Sequence, residues 1–318
     1  MRSRWRVSGL FGSLLKPIVL SEARLRRSAI GPIPSAMAYW VWHKGWDMYF
    51  SARARIKGNA ARIAIGSYEF LYDMRDKSVG RILYLFRQYE RNELAFLTAR
   101  LELGMTLVDV GANTGCFTLL GSKLVGPEGA VIAFEPAPEN VRILTANAKL
   151  NGLQNVCVVE MGVCDRPMQL LVHLSRINPG DHRTYDGRDD RFYNAGRRRR
   201  TVPVEGIPLD TYFEAHPMRV DFIKMDIQGM EHYALRGMMN TLATNEGVIL
   251  MTEYWPHGLQ SAGSSPRAYI EDLLAQRFQL YTVGENGSPN ALSPSILESA
   301  LTEHRHATLI CSRRDLVG

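Results

Sequence analysis

From about residue 105 onward, short apolar runs alternate with segments of helical periodicity, and this alternation limits the possible folds more than any other feature. Apolar runs at 106–110, 130–134 and 156–163 predict strands, and the segments 117–125 and 138–150 predict the helices between them. Strands that are apolar on both faces are typical of parallel sheets covered by helices on both sides. The sequence therefore predicts an α/β domain, and its 46% hydrophobic content suits a folded core.

The same alternation continues to the C-terminus with one polar interruption. Four more strands are predicted at 220–225, 248–252, 279–283 and 307–311, with helices at 231–242 and 266–276. The interruption, residues 176–200, is rich in arginine and aspartate and poor in apolar side chains. Because long polar loops inside a compact domain are often functional lids, we predict a polar insertion there within a domain at 104–318.

Two segments precede this domain. Residues 66–103 are predicted to form a bridging region, with a hairpin-like pattern at 63–72 and a helix at 79–101. Residues 1–65 are predicted to form a helical, basic extension. Residues 1–62 hold twelve lysines and arginines against two acids, whereas the whole chain has a net charge of only +6. Four of the five tryptophans also lie in this extension.

Basic residues interleaved with aromatic rings are typical of segments that contact an anionic membrane surface. No apolar stretch in the extension is long enough to cross a bilayer. We therefore expect a cytoplasmic protein that contacts a membrane peripherally through residues 1–65. Two alternatives stay open for this segment: an arm that packs on the body or on a partner, and a nucleic-acid contact, which we disfavour.

The four cysteines are dispersed and form no CxxC pair, so the sequence predicts neither a disulfide framework nor a structural zinc site. They are Cys116, Cys157, Cys164 and Cys311. Small buried thiols in a reducing compartment are the expected state. This agrees with the expectation of a cytoplasmic protein.

The strongest local signal is the run DVGANTG at 109–115, which lies between a predicted strand and a predicted helix. Gly111 and Gly115 allow the backbone to turn sharply and to approach a ligand closely. The first strand end of an open α/β sheet borders the crevice where nucleotides bind. Asp109 adds a carboxylate that can hold a cationic amino group. This turn therefore predicts a ligand site.

Glu135 ends the second predicted strand and supplies a second carboxylate at the neighbouring strand end. A carboxylate at this position can accept both hydroxyls of a ribose. NAD is the competing ligand, but its fingerprint requires GxGxxG, and here Asn113 takes the place of a glycine. Asp109 would also repel a pyrophosphate. An adenosyl ligand with an amino acid and no phosphate fits better, which describes S-adenosylmethionine.

Several blocks of the chain resemble the FkbM family of methyltransferases, in the right order over residues 104–255. The blocks are DVGANTGCFTLL, AFEPAPENVRILTANAKLNGLQNV, PLDTYF and DFIKMDIQGMEHYALRGM. The resemblance implies a Rossmann-like class I methyltransferase fold with seven strands, one of them antiparallel near the edge. It also implies O-methylation by S-adenosyl-L-methionine of a hydroxyl on a glycan, glycolipid, other small molecule or secondary metabolite.

The resemblance further implies which residues bind the cofactor. These are Asp109, Gly111, Asn113, Gly115 and Glu135, with Gly162 near the adenine. One departure is visible, because the family commonly has glutamate where this chain has Gln228. Glutamine keeps the size and the hydrogen bonding of glutamate but loses its charge. Any role of that charge in binding a cation or an amine is therefore in doubt here.

Methyl transfer to a hydroxyl benefits from a positioned base, and the candidates lie at strand ends. Asp226 ends the fourth strand of the predicted domain and is the first candidate, and Lys224 is on the same face of that strand. Glu231 begins the following helix, where an acid is also favoured by the helix dipole. Lys224 and Glu231 are equally compatible with structural roles.

His182 lies in the polar insertion and is the second candidate base. Its neighbour Arg183 and the strand-end residue Glu253 are predicted to contact the acceptor. Asp226 and Glu253 could share a divalent cation, but a third ligand is not evident and we predict no metal. Two other functions stay open: an N-methyltransferase or RNA-directed methyltransferase, and an inactive membrane-associated binding protein.

Overall fold

The computed structural model describes residues 32–57, 59–77, 79–175, 178–186, 199–293 and 306–317. The chain divides into two compact units, Met1–Ala52 and Arg53–Gly318. Much of the predicted extension, and residues 187–198 of the predicted polar insertion, lie outside the described residues. Among the described residues, no helix has both the length and the apolar character needed to span a membrane.

The second unit is built from alternating strands and helices. The strands, in chain order, are β1 Ala60–Ile65, β2 Tyr68–Asp73, β3 Thr106–Val110, β4 Ala130–Phe134, β5 Val156–Val159, β6 Gly162–Val163, β7 Met168–Leu174, β8 Arg200–Ile207, β9 Phe222–Met225, β10 Ile249–Tyr254, β11 Gln279–Val283, β12 Pro289–Ala291 and β13 Ala307–Ser312. Helix α1, Pro32–Lys57, belongs mostly to the first unit. The helices that follow it are α2 Val79–Phe86, α3 Arg91–Arg100, α4 Cys116–Val125, α5 Pro138–Leu150, α6 Leu209–Ala215, α7 Glu231–Arg236, α8 Met239–Thr244, α9 Pro256–Ser261 and α10 Pro266–Ala275.

The central sheet has eight strands in the order β12-β11-β13-β10-β9-β3-β4-β5. Strands β5, β4, β3, β9 and β10 are parallel, and β13 is antiparallel to both β10 and β11. The class I methyltransferase fold predicted from the sequence is therefore confirmed, including the antiparallel strand near one edge. Strand β12 adds an eighth, short strand that the resemblance did not imply.

Apolar side chains alternate between the two faces of the sheet. On β3, Val108 and Val110 pack into a core under α7 and α10, whereas Leu107 packs into a second core on the opposite face. Phe96 of α3 is fully buried in that second core. Because both faces of β3 are buried, its apolar run shows no polar alternation, which is why the sequence predicts a parallel strand.

The bridging region differs from its prediction in one respect. The hairpin is confirmed, since β1 and β2 pair antiparallel. The single helix predicted at 79–101 is wrong, because α2 and α3 are separate helices. Arg87 and Glu90, between them, have left-handed backbones with φ of +56° and +39°. Left-handed residues cannot continue a right-handed helix, so the chain changes direction there.

Strands β6, β8 and β7 form a separate three-stranded sheet. The predicted strand at 156–163 is in fact two strands, because β5 joins the central sheet and β6 pairs with β8. Strand β8 also pairs antiparallel with β7 and was not predicted from the sequence. The described part of the polar insertion returns to this sheet, where the His173 N–H donates to the Arg183 carbonyl oxygen over 2.6 Å. This part therefore pairs with the end of β7 through its backbone.

Candidate active site

The glycine-rich turn joins β3 to α4. Gly111 has φ of +78°, a conformation that side chains disfavour, and its N–H donates to the Phe134 carbonyl oxygen over 2.9 Å. A Cβ atom at this position would overlap the backbone oxygen of Asp226. Gly115, with φ of +102°, precedes the first residue of α4. Both glycines are therefore required by the backbone.

Glu135 follows β4 and binds the turn directly. Its Oε2 accepts from the Asn113 N–H at 2.8 Å, and its Oε1 accepts from the Ala137 N–H at 2.9 Å. The Asn140 amide also donates to Oε1, over 3.3 Å. Burial raises the pKa of Glu135 to about 7, although these hydrogen bonds oppose the shift. The carboxylate predicted for the ribose hydroxyls is therefore fixed beside the glycine turn.

Asp109 has an observed partner within the protein. It lies opposite Lys224 in the register of β3 and β9, and its Oδ1 is 3.5 Å from the Lys224 Nζ. Its Oδ2 accepts from the Thr118 hydroxyl at 2.6 Å. Asp109 is fully buried and does not line the cavity beside the turn. A direct contact of this carboxylate with a cofactor stays a prediction, whereas its ion pair is observed.

Lys224 is buried beneath the same turn. Its Nζ donates to the Gly111 carbonyl oxygen over 3.0 Å. Burial alone would lower the pKa of Lys224, but Asp109, Asp226 and Glu90 outweigh it and raise the pKa above the usual lysine value. The raised pKa favours the protonated form of Lys224 at neutral pH. This argues against Lys224 as a base, and its contacts support the structural role left open above.

A cavity, here called the turn cavity, opens beside the glycine turn. It brings together eight of the twelve predicted site residues: Gly111, Asn113, Glu135, Gly162, His182, Arg183, Lys224 and Asp226. The other four, Asp109, Gly115, Glu231 and Glu253, do not line it. The Asn113 Oδ1 is buried and has no hydrogen-bond partner among the described residues. A ligand in the turn cavity can supply a donor to this oxygen.

A second cavity, here called the acidic cavity, adjoins the turn cavity. Its polar lining includes Glu90, Glu93, Asp226, Glu253 and Thr308. Glu90, Phe117, Lys224 and Asp226 line both cavities. Glu90 was not predicted from the sequence, since a single glutamate between two helices carries no motif. Only its position in the fold distinguishes it.

Gln228 connects the two predicted strand-end acids. Its Nε2 donates to the Asp226 Oδ1 over 2.7 Å and to the Glu253 Oε2 over 3.2 Å. Its backbone is left-handed, with φ of +55°. Repulsion from Asp226 and above all burial raise the pKa of Glu253. The amide thus supplies donors to two carboxylates that would otherwise repel each other.

The carboxylates of Asp226, Glu231 and Glu253 come within 4.8 Å of one another, so Glu231 is the third acid that the sequence did not reveal. However, both Glu231 oxygens accept backbone hydrogen bonds, from Ile227 and Gly229, each at 2.9 Å. The Gln228 amide already lies between the other two acids. The cluster is therefore bonded internally, and we assign no metal to it. Glu231 fixes the loop before α7.

The predicted base His182 and its neighbour Arg183 have structural partners. The His182 Nδ1 accepts from the Ser175 N–H at 3.0 Å. Burial, with a contribution from Arg199, lowers the pKa of His182 to about 4. A neutral imidazole that accepts at Nδ1 carries its proton on Nε2 and has no lone pair left for a substrate proton. The geometry therefore argues against His182 as a base.

Arg183 is buried, with only 2% of its surface exposed. Its Nε is 2.5 Å from the Asp181 Oδ1, and Arg199 binds the other Asp181 oxygen at 2.6 Å. The Arg183 guanidinium also lies 4.8 Å from the centre of the Trp255 ring. These contacts hold the insertion against the body. An acceptor contact by Arg183 stays a prediction.

Comparison with known proteins identifies the family. The model of the methyltransferase FkbM domain matches residues 109–274, which is more than half of the chain. The chain is 28% identical over 163 residues to methyltransferase sdnD of Sordaria araneosa, covering 44% of this chain and 62% of that protein. It is 26% identical over 144 residues to methyltransferase 1 of Beauveria bassiana strain ARSEF 2860, covering 42% of this chain and 57% of that protein.

The chain thus spans less than two thirds of the length of both curated relatives. Among solved structures, an rRNA methylase from Streptococcus thermophilus overlaps with a TM-score of 0.40 at 13% identity, over 70% of this chain and 94% of that one. The matched residues 109–274 begin at the glycine turn and include Glu135 and the cluster around Asp226. The resemblance read from the sequence is therefore confirmed, and the chain belongs to the FkbM family of methyltransferases.

Proposed function

We propose that this protein transfers the methyl group of S-adenosyl-L-methionine to a hydroxyl of a glycan, glycolipid or secondary metabolite. The observation that carries the proposal is the fixed pair formed by Glu135 and the Asn113 N–H at the edge of the turn cavity. Family membership supports methyl transfer, and the site supports the donor. The class of acceptor rests on the family resemblance.

The residues of the turn cavity fit this cofactor. Glu135 offers a buried carboxylate for two ribose hydroxyls, and Gly111, without a Cβ, lets the turn pass close to the Asp226 backbone at the edge of the cavity. The buried Asn113 Oδ1 offers an acceptor for an N–H or O–H group of the ligand. Gly162 and Met161 line the cavity where the resemblance predicts the adenine. The predicted cofactor residues, Asp109 and Gly115 excepted, can thus contact one ligand.

When bound, S-adenosylmethionine supplies an activated methyl group on a sulfonium. The protein orients the two reactants and excludes water, which accounts for much of the barrier reduction in such displacements. Lys224 holds the turn through the Gly111 carbonyl. Gln228 holds Asp226 and Glu253 in place at the edge of the acidic cavity. These residues position the site, and no metal is needed for that role.

Replacing Glu135 by glutamine is expected to weaken the binding of S-adenosylmethionine about tenfold to a hundredfold, because hydrogen bonds to a charged group contribute about 1.5–3 kcal/mol. Titration calorimetry with the wild type and with Glu135→Gln measures the difference. The matched control is Glu139→Gln, four residues along and exposed on α5. Equal affinity in all three proteins, or no binding by the wild type, would contradict the proposed function.

An RNA acceptor is not favoured. The basic run at 197–200 motivated that alternative, but Arg199 is largely buried and bound to Asp181. Arg183 is buried as well. Two of the arginines of the insertion are therefore engaged within the protein, where they cannot neutralise a phosphate backbone.

We also propose that residues 1–65 contact an anionic membrane surface while the enzyme remains cytoplasmic. Helix α1 carries several of the aromatic residues of this segment. Within it, Trp46 and Tyr49 lie edge to face with ring centres 5.5 Å apart, and Phe50 contacts both rings. Met48 and Tyr49 are exposed. Exposed apolar and aromatic side chains beside cations support an interfacial role.

The variant Arg24→Gln/Arg26→Gln/Arg27→Gln is expected to bind anionic vesicles roughly a hundredfold more weakly, since each cation near such a surface contributes about 1 kcal/mol. Flotation of the full chain with phosphatidylcholine vesicles, with and without phosphatidylserine, measures this. The control Arg197→Gln/Arg198→Gln/Arg200→Gln removes the same charge from the insertion. Equal flotation of the two variants would show that the extension is not the membrane contact.

A further inference from the structure

Glu90 lies where the two cavities meet. It lines both the turn cavity and the acidic cavity, together with Phe117, Lys224 and Asp226. Phenylalanine cannot take a proton, and the carboxylates around Lys224 raise its pKa and so favour its protonated form. Two carboxylates, Glu90 and Asp226, therefore remain at the passage between the cavities. A group that crosses this passage must approach one of them.

Asp226 is held by the Gln228 amide, which also binds Glu253. Its Oδ1 accepts the Gln228 amide at 2.7 Å. Glu253 accepts the same amide and lines only the acidic cavity. Both Glu231 oxygens are held by backbone N–H groups, and Glu231 lines neither cavity. Glu90 is thus the carboxylate at the passage that is not fixed by this amide.

The backbone of Glu90 is in an uncommon conformation. Its φ of +39° and ψ of +57° are left-handed, which is uncommon for a residue other than glycine. Its carbonyl oxygen accepts from the Leu94 N–H at 2.9 Å in the first turn of α3, but its side chain does not cap the helix. Strained non-glycine residues occur preferentially at functional sites. Glu90 thus combines a left-handed backbone with a position that borders both cavities.

The charges around Glu90 favour a carboxyl that exchanges its proton near neutral pH. Burial and then the repulsion of Asp226 raise the pKa of Glu90 to about 7, while Lys224 and a hydrogen bond from Tyr89 oppose the shift. The ionisable groups around it are Tyr89 and Glu93 beside it in the chain, Cys116 on α4, Lys224 and Asp226 on or after β9, and Glu253 on β10. His306, just before β13, lines the acidic cavity with it. A base is most effective when its pKa is close to the working pH.

We propose that the acidic cavity holds the methyl acceptor and that Glu90 is the catalytic residue that removes its hydroxyl proton. This inference rests on the proposed function. The acceptor oxygen forms a bond to the methyl carbon while the carbon–sulfur bond breaks. The electron pair of the broken bond stays on the sulfur, and the sulfonium becomes a thioether. The hydroxyl proton moves to the Glu90 carboxylate and later to water. Lys224 and Asp226 line the passage and are positioning residues.

The first test separates this role from cofactor binding. Titration calorimetry with S-adenosylmethionine is carried out on the wild type, Glu90→Gln and Glu102→Gln, the last being an exposed acid just beyond α3. We expect all three to bind with affinities within about threefold. If the wild type does not bind, the proposed function fails. If only Glu90→Gln loses binding tenfold or more, Glu90 is a cofactor ligand and the inference alone fails.

The second test follows the carboxyl itself. Carbon-13 NMR of glutamate-labelled wild type and Glu90→Gln assigns the Glu90 signal by its absence in the variant. We expect it to titrate with a midpoint near pH 7. A midpoint below about pH 5 overturns the inference, because such a weak base would assist little.

The third test measures transfer of a labelled methyl group to the component of a lipid and glycan extract that the wild type methylates. For the wild type, kcat/KM is expected to rise through pH 7 as Glu90 loses its proton. Glu90→Gln is expected to lose about 10²–10⁴ in kcat and to lack this rise, whereas Glu102→Gln retains both. A wild-type rate in Glu90→Gln overturns the inference.

Discussion

Replacing Gly111 by alanine is expected to lower the free energy of unfolding by about 2–5 kcal/mol and to abolish detectable binding of S-adenosylmethionine. Two effects add at this position. A left-handed backbone costs a residue with a Cβ about 1–2 kcal/mol. The new Cβ also overlaps the backbone oxygen of Asp226, and overpacking costs about 1–3 kcal/mol more. Urea unfolding and calorimetry measure the two losses.

Gly104 provides a matched control for this prediction. Its φ of +80° is nearly that of Gly111 at +78°, but a Cβ there meets no atom within 4 Å. Gly104→Ala should therefore lose only the backbone contribution of about 1–2 kcal/mol and should still bind the cofactor. If the two variants are equally stable, the close approach to Asp226 is not what requires glycine at 111.

Replacing Lys224 by methionine is expected to destabilise the protein by about 3–5 kcal/mol, because it leaves the fully buried Asp109 without its cation. The same change removes the donor to the Gly111 carbonyl, so cofactor affinity should also fall. Urea unfolding measures the stability. Lys149→Met, at an exposed position near the end of α5, is the control and should change stability by less than about 0.5 kcal/mol.

A double variant isolates the ion pair. Asp109→Asn/Lys224→Met removes both charges, while the asparagine can still accept from the Thr118 hydroxyl. We expect it to be more stable than Lys224→Met alone, since an uncompensated buried charge is worse than no charge. Strict additivity of the two single variants would show that Asp109 and Lys224 are not energetically coupled.

Some features of the site follow from local sequence alone. A left-handed turn between a strand and a helix needs glycine, so Gly111 and Gly115 are recognisable without knowledge of the fold. Glu135 is recognisable because it follows a buried strand one helix further along. Strands buried on both faces produce continuous apolar runs, so the parallel sheet was also predictable. These features depend on residues that are close in sequence.

Other features depend on which distant strands become neighbours. Asp109 and Lys224 are opposite each other only because β9 lies beside β3, and this gives the predicted cofactor ligand Asp109 a buried lysine as its partner within the protein. The split of 156–163 into β5 and β6 likewise depends on β8, which pairs with β6 from more than forty positions away. No local pattern encodes such pairings.

Local sequence is sufficient to predict the α/β fold, the glycine turn and the carboxylate of Glu135, because backbone conformation and the burial pattern of strands are local properties. The folded chain is needed to show which polar groups are partners: Lys224 with Asp109, Gln228 with Asp226 and Glu253, and Arg183 with Asp181. It also brought Glu90 to the passage between two cavities. The charge and the proton affinity of a buried group are set by neighbours far away in sequence, so they become visible only once the chain is folded.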